Sequence, residues 1–173
     1  MPVSHKPGAG DAMPSLKVAT VGGGEMDLAA MSGWRMLAVY RGKHCPLCKV
    51  YFKTLSGLLP EFAAAGVTVA AVSADTKDKA EADVASEGWT FPVGYDLSMA
   101  QMKSLGLYIS EPRSAQETDR PFAEPGLFVV NPDGKIQIVD ISNAPFARPE
   151  LAMVLRGINF GREKGYPIRG TLA

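Results

Sequence analysis

The segment Arg35-Met-Leu-Ala-Val-Tyr-Arg41 runs directly into Gly42-Lys-His-Cys-Pro-Leu-Cys-Lys49. Its first half is a nearly unbroken apolar run without Gly or Pro, the pattern of a strand buried on both faces. Its second half opens a helix, because Tyr51, Leu55, Leu58, Leu59 and Phe62 make one amphipathic stripe. Pro46 suits the first helical position, which places Cys45 at about the N-cap. Gly66 closes the helix, and Val67-Thr-Val-Ala-Ala-Val-Ser73 reads as a second buried strand. Strand, helix and strand in this order predict a right-handed βαβ unit with parallel strands. A dithiol sits at its first strand-to-helix junction.

Outward from this unit, Asp75 or Thr76 should cap a second helix running to about Glu87, with Ala80, Val84 and Ala85 as a thin apolar face. Phe91 to Tyr95 reads as a short strand, and Ser98 to Leu105 as a short helix ended by Gly106. The charged stretch 111–124 carries two prolines and reads as an irregular surface excursion. Gly126–Val130, the turn Asn131-Pro-Asp-Gly134 and Lys135–Ile141 form a hairpin pattern. Leu151, Val154, Leu155 and Ile158 mark a last helix, followed by an extended tail over 165–170. Residues 1–13 read as a loose arm and 14–173 as one α/β domain with a central mixed sheet flanked by helices.

Composition narrows the function. The 173 residues carry 18 Lys+Arg against 18 Asp+Glu, a formal net charge of zero. That balance supplies no field for gripping phosphates and argues against nucleic acid as a partner. The most apolar stretch, Phe62 to Val72, is too short to cross a bilayer, so no membrane role is expected. Residues 1–15 hold no hydrophobic run resembling a secretion signal, and the expected compartment is the cytoplasm.

There are 2 cysteines and 2 histidines, His5 and His44. A structural zinc site within one chain would need all four, and one disulfide over so short a loop would remove little chain entropy. Redox chemistry is the reading that remains for a cytosolic Cys-x-x-Cys at a strand-to-helix junction.

The stretch Tyr40-Arg-Gly-Lys-His-Cys-Pro-Leu-Cys-Lys49 resembles the active-site segment of the redoxin group related to alkyl hydroperoxide reductase and thiol-specific antioxidant proteins, the peroxiredoxin-like branch of the thioredoxin fold. The resemblance extends through Val72-Ser-Ala-Asp75, Glu124-Pro-Gly-Leu-Phe128, Asn131-Pro-Asp-Gly134, Pro145-Phe-Ala-Arg-Pro149 and Tyr166-Pro-Ile-Arg-Gly170. It implies an antioxidant thiol oxidoreductase acting on peroxide or a protein disulfide. No bound cofactor is implied, since the sulfurs carry the electrons. A thioredoxin- or glutathione-type thiol would restore the dithiol, and a homodimer is left open. A non-enzymatic redox sensor or partner-binding module switched by the same disulfide is the competing reading.

The departures from that pattern are informative. Cys48 occupies the place of the peroxide-attacking cysteine, Cys45 that of a threonine and Arg41 that of a proline. Pro125 stands where an arginine would be expected; in thioredoxins the same place holds a cis-proline facing the dithiol, and the resemblance implies a cis Glu124–Pro125 bond with Pro125 facing the dithiol here. Val39 stands where thioredoxins resemble one another in a buried acid. His44 could tune Cys45 or relay its proton. Arg148 and Arg169 could bind an anionic substrate, though loop arginines are more simply surface charge.

A thiol is nucleophilic only as thiolate, and a helix N-terminus lowers its pKa from about 8.5 into a range of about 3.5–7.5. Cys45, Cys48, His44 and Pro125 are therefore the candidate site. The N-cap thiol, expected to be the more exposed, is the expected attacker, with Cys48 as the resolving thiol.

Overall fold

The structure is a computed structural model and describes residues 6–172. The central sheet contains β3 (Trp34–Val39), β4 (Val67–Val72), β5 (Val93–Gly94), β8 (Gly126–Val130) and β9 (Ile136–Ile141), in the order β5-β4-β3-β8-β9. The pairs β3/β4 and β4/β5 are parallel, and β8 is antiparallel to both β3 and β9. This mixed sheet, with a dithiol helix following its middle strand, is the expected thioredoxin-like fold. Two ribbons that the sequence did not announce complete it: β1 (Lys17–Ala19) with β2 (Glu25–Asp27), and β6 (Ile109–Ser110) with β7 (Phe122–Ala123).

Helix α1 (Pro46–Ala64) starts where the sequence predicts. Cys45 is extended, Pro46 fills the first turn, and the Cys48 N–H donates to Cys45 Sγ at 3.3 Å. The sulfur thus satisfies one of the orphan donors of the helix start, as a hydroxyl does in other N-caps. Cys48, Phe52, Leu55 and Phe62 are its buried positions, while Tyr51, Leu58 and Leu59 are half-buried. The period-2 alternation of β3 divides its side chains between two cores. Met36, Ala38 and Tyr40 face α1 and α4 (Leu151–Glu163), whereas Leu37 and Val39 face α3 (Met99–Ser104) and the chain from Met13 to Leu28.

Arg35 belongs to neither apolar cluster. It is 1% exposed and donates to the carbonyls of Leu28 (2.8 Å), Gly33 (2.7 Å) and Asn131 (2.9 Å). Its guanidinium closes three loops at the N-terminal end of β3, away from the cysteines.

Several expectations need correcting. The described part of the arm is docked: Gly10 N–H donates to the Ile136 carbonyl and Met13 N–H to the Gly134 carbonyl, with Met13 buried. Backbone pairing to the β8–β9 hairpin left no trace in side-chain periodicity. In α2 (Lys77–Glu87), Thr76 is the N-cap but makes no side-chain cap bond, and Asp83 rather than Ala85 is buried. The tail folds back, with Tyr166 N–H donating to the Gly161 carbonyl and its ring 5.6 Å from Phe160.

Candidate active site

The dithiol lies at the C-terminal end of β3, the end of a parallel sheet where loops gather functional groups. Gly42 turns the chain there at φ +135°, and a Cβ on it would stand 2.6 Å from Asp75 Oδ1. Asp75, at the end of β4, is buried and accepts from the Lys43 N–H at 2.7 Å. Burial pushes its pKa up, against the pull of that bond. Glycine is required because the carboxylate occupies the space above it.

Both sulfurs are covered: Cys45 and Cys48 are each 1% exposed, which overturns the expected difference between them. Position in the helix does not separate them, because both thiols are part of the buried cluster between α1 and the sheet. Electrostatics separates the pair instead. The neighbouring Cys48 thiol, the Cys48 N–H bonded to Cys45 Sγ at 3.3 Å and the Arg41 guanidinium together pull Cys45 down to about 6 in spite of burial. Cys48 moves up, because Cys45 beside it and burial both disfavour its charged form; Arg148 opposes that rise. Cys45 is therefore the more acidic thiol of the two.

Each sulfur has its own guanidinium. Arg41, in the position that the resemblance assigns to proline, serves Cys45. Arg148 serves Cys48 from the loop before α4: Nη2 donates to Cys48 Sγ at 3.4 Å and Nε to the Pro145 carbonyl at 2.8 Å. Its guanidinium carbon lies 4.5 Å from the centre of the Tyr51 ring, and the Tyr51 hydroxyl donates to the Pro149 carbonyl at 2.7 Å. Reading Arg148 as surface charge was therefore wrong. No local pattern marks it, because its partner is 100 residues away in sequence. Arg169 packs against Tyr166 instead, 5.1 Å from the ring centre.

The peptide bond between Glu124 and Pro125 is trans, as are all those described, which corrects the expected cis bond. The chain passes from β7 to β8 with only Glu124 and Pro125 between, and a trans bond keeps that path extended. Pro125 is buried, and Gly126, next to it, pairs with Val39 beside the Tyr40–Cys45 segment. Of these two residues it is Glu124 that meets a charge of the site: its Oε2 lies 3.0 Å from Arg41 Nε. His44 turns away from the sulfurs. Its ring packs on Phe122 at 4.5 Å, burial and Arg41 push its pKa down, and neither ring nitrogen has a hydrogen-bond partner among the described residues.

None of the described helices is long and apolar enough to cross a membrane. Solved structures share the fold at low identity. The chain is 18% identical to a peroxiredoxin-like protein from Aquifex aeolicus, with a TM-score of 0.76, covering 90% of this chain and 88% of that one. For the peroxidoxin BcpB from Mycobacterium tuberculosis the values are 18%, 0.74, 90% and 98%. For a mutant of the peroxiredoxin 6 of Arenicola marina they are 19%, 0.75, 91% and 74%. No curated protein sequence matches the chain. The AhpC/TSA family model matches residues 9–139, which include both cysteines, Arg41 and Glu124. With its buried dithiol at the start of α1, the chain belongs to the AhpC/TSA family of thiol-dependent oxidoreductases.

Proposed function

We propose that the protein reduces a small peroxide through a Cys45–Cys48 dithiol–disulfide cycle. The Cys45 thiolate attacks one peroxide oxygen and the O–O bond breaks. The leaving oxygen takes a proton and departs as water or an alcohol, and Cys45 becomes a sulfenic acid. Cys48 then attacks that sulfur, its thiol proton leaves with the hydroxyl as water, and the disulfide forms. Two electrons from an external dithiol or two glutathione-type thiols restore the pair. The carrying observation is the pair of sulfurs at the start of α1, where the Cys48 N–H donates to Cys45 Sγ at 3.3 Å and Arg148 Nη2 donates to Cys48 Sγ at 3.4 Å.

Burial supports peroxide over a protein disulfide. A sulfur that is 1% exposed needs a smaller opening to meet a two-oxygen oxidant than to meet a disulfide on another protein. A second reading, with Cys48 as attacker, is favoured by its alignment in the resemblance and by the Arg148 contact at 3.4 Å. His44, with its ring on Phe122, carries no proton in this cycle, and Pro125 supports it only as the buried neighbour of Glu124. A cytoplasmic setting, where thiol reductants are available, suits this cycle; a homodimer is compatible with it.

Steady-state turnover with hydrogen peroxide and with insulin, under the same reductant, tests the reading. Catalytic consumption of peroxide is expected, with loss of two hydrogens from a monomeric chain after one equivalent. Faster insulin reduction, or an intermolecular disulfide as the main product, would overturn it. A single stoichiometric oxidation without turnover would instead identify a redox sensor.

A further inference from the structure

The β6–β7 ribbon brackets most of the stretch 111–124 that reads as irregular, and its register brings residues together at the site. Ser110 pairs with Phe122 and Ile109 with Ala123, so the strand ends deliver Ser110, Phe122 and Glu124 to one place. Ser110 Oγ donates to Glu124 Oε1 at 2.7 Å, and Glu124 N–H donates to the Tyr108 carbonyl at 2.8 Å. The other carboxylate oxygen stands 3.0 Å from Arg41 Nε, a charge contact rather than an aligned hydrogen bond. Phe122 lies beneath, 4.9 Å from the Arg41 guanidinium carbon. Glu124 is 5% exposed, and carboxylates are almost never buried so far without a paired charge.

We infer that Glu124 is a positioning residue, held by Ser110, that fixes the Arg41 guanidinium on Cys45 and so maintains the attacking thiolate. This rests on the assignment of Cys45 as the thiolate. An arginine side chain has many rotamers, and Arg41 is 18% exposed at the edge of the site, so solvent is its alternative. Two contacts oppose that escape: the carboxylate on one side and the Phe122 face below. A carboxylate that merely neutralised Arg41 would act in the opposite sense, because its removal would strengthen the pull of the guanidinium on the thiolate. The sign of the effect therefore separates positioning from neutralisation.

The experiment is alkylation of the full chain with iodoacetamide across pH, with labelling of each cysteine read by peptide mass analysis. Glu124→Gln keeps the shape and an acceptor for Ser110 but removes the charge. The Cys45 midpoint should rise by about one pH unit, making labelling below the midpoint about tenfold slower. Arg41→Ala should give a shift at least as large, and adding Glu124→Gln to it should change nothing further. A midpoint that falls or stays in Glu124→Gln, or a shift that persists without Arg41, overturns the inference. Should Glu124→Gln fail to fold, Ser110→Ala takes its place, with a smaller rise expected and no rise contradicting. If Cys45 of the unmodified chain shows no depressed midpoint, the thiolate assignment fails; if it does and Glu124→Gln leaves it there, only the positioning role fails.

Discussion

Arg148 Nη2 lies 3.4 Å from Cys48 Sγ, across 100 residues of sequence. Arg41 approaches Cys45 from the loop after β3, so the two sulfurs receive their positive charge from different parts of the chain. In the proposed cycle, one guanidinium holds the attacking thiolate while the other readies the thiol that closes the disulfide. The roles can therefore be disturbed separately.

Removing Arg148 should slow the second step and spare the first. Arg148→Met deletes the charge beside Cys48 and leaves Arg41 in place. Disulfide formation after one equivalent of peroxide, followed by quench and mass analysis, is expected to slow by roughly tenfold. The pH midpoint of Cys45 labelling should stay where it is.

The pH dependence has a definite sign. Cys45, pulled down to about 6 by the Cys48 thiol and Arg41, is nucleophilic above that pH, and peroxide consumption should fall as pH drops through it. The same shift links to stability. A thiol with its folded pKa depressed contributes stability that is full above its unfolded value, about 8.5, and is lost as pH falls through about 6. The raised pKa of Cys48 removes stability only as pH rises past its unfolded value. Between pH 6 and about 8.5, the denaturant midpoint of the unmodified chain should rise relative to Cys45→Ser.

Gly42 is expected to tolerate no side chain. Gly42→Ala puts a Cβ 2.6 Å from Asp75 Oδ1 at φ +135°, so the turn must shift and the Lys43–Asp75 bond weaken. A loss of about 1–3 kcal/mol in urea unfolding is expected, together with slower peroxide turnover. Gly57, inside α1 with open space around it, provides the contrast: Gly57→Ala should stabilise by about 0.5–1 kcal/mol.

Arg35 should matter for folding and not for chemistry. Arg35→Met leaves the carbonyls of Leu28, Gly33 and Asn131 without their shared donor, at a cost of about 3 kcal/mol by denaturant titration. The Cys45 labelling midpoint should be unchanged, because the residue sits at the other end of β3.

The architecture was readable because burial dictates periodicity. The run 35–41, the stripe Tyr51–Phe62 and the run 67–73 each carry a period that only one element satisfies, and Pro46 marks the helix start. Cys45 and Cys48 were readable from their spacing. The rest of the site was not, for reasons of distance and geometry. Arg148 acts on a residue 100 positions away, and Glu124 gains meaning only when β6 and β7 pair. The ribbons escaped notice because strands of two or three residues are too short to show alternation. Pro125 signals backbone shape in the sequence, whereas the burial that gives its neighbour Glu124 a role is visible only in the fold.

The central claim, that Cys45 attacks and Cys48 resolves, is tested most directly by exposing Cys48→Ser and Cys45→Ser to one equivalent of hydrogen peroxide. A sulfenic-acid-specific probe and peptide mass analysis then identify the oxidised sulfur. The account predicts that Cys48→Ser reacts at close to the unmodified rate and accumulates sulfenic acid on Cys45, while Cys45→Ser is nearly inert. Sulfenic acid forming rapidly on Cys48 in Cys45→Ser, with Cys45 unreactive in Cys48→Ser, would contradict it.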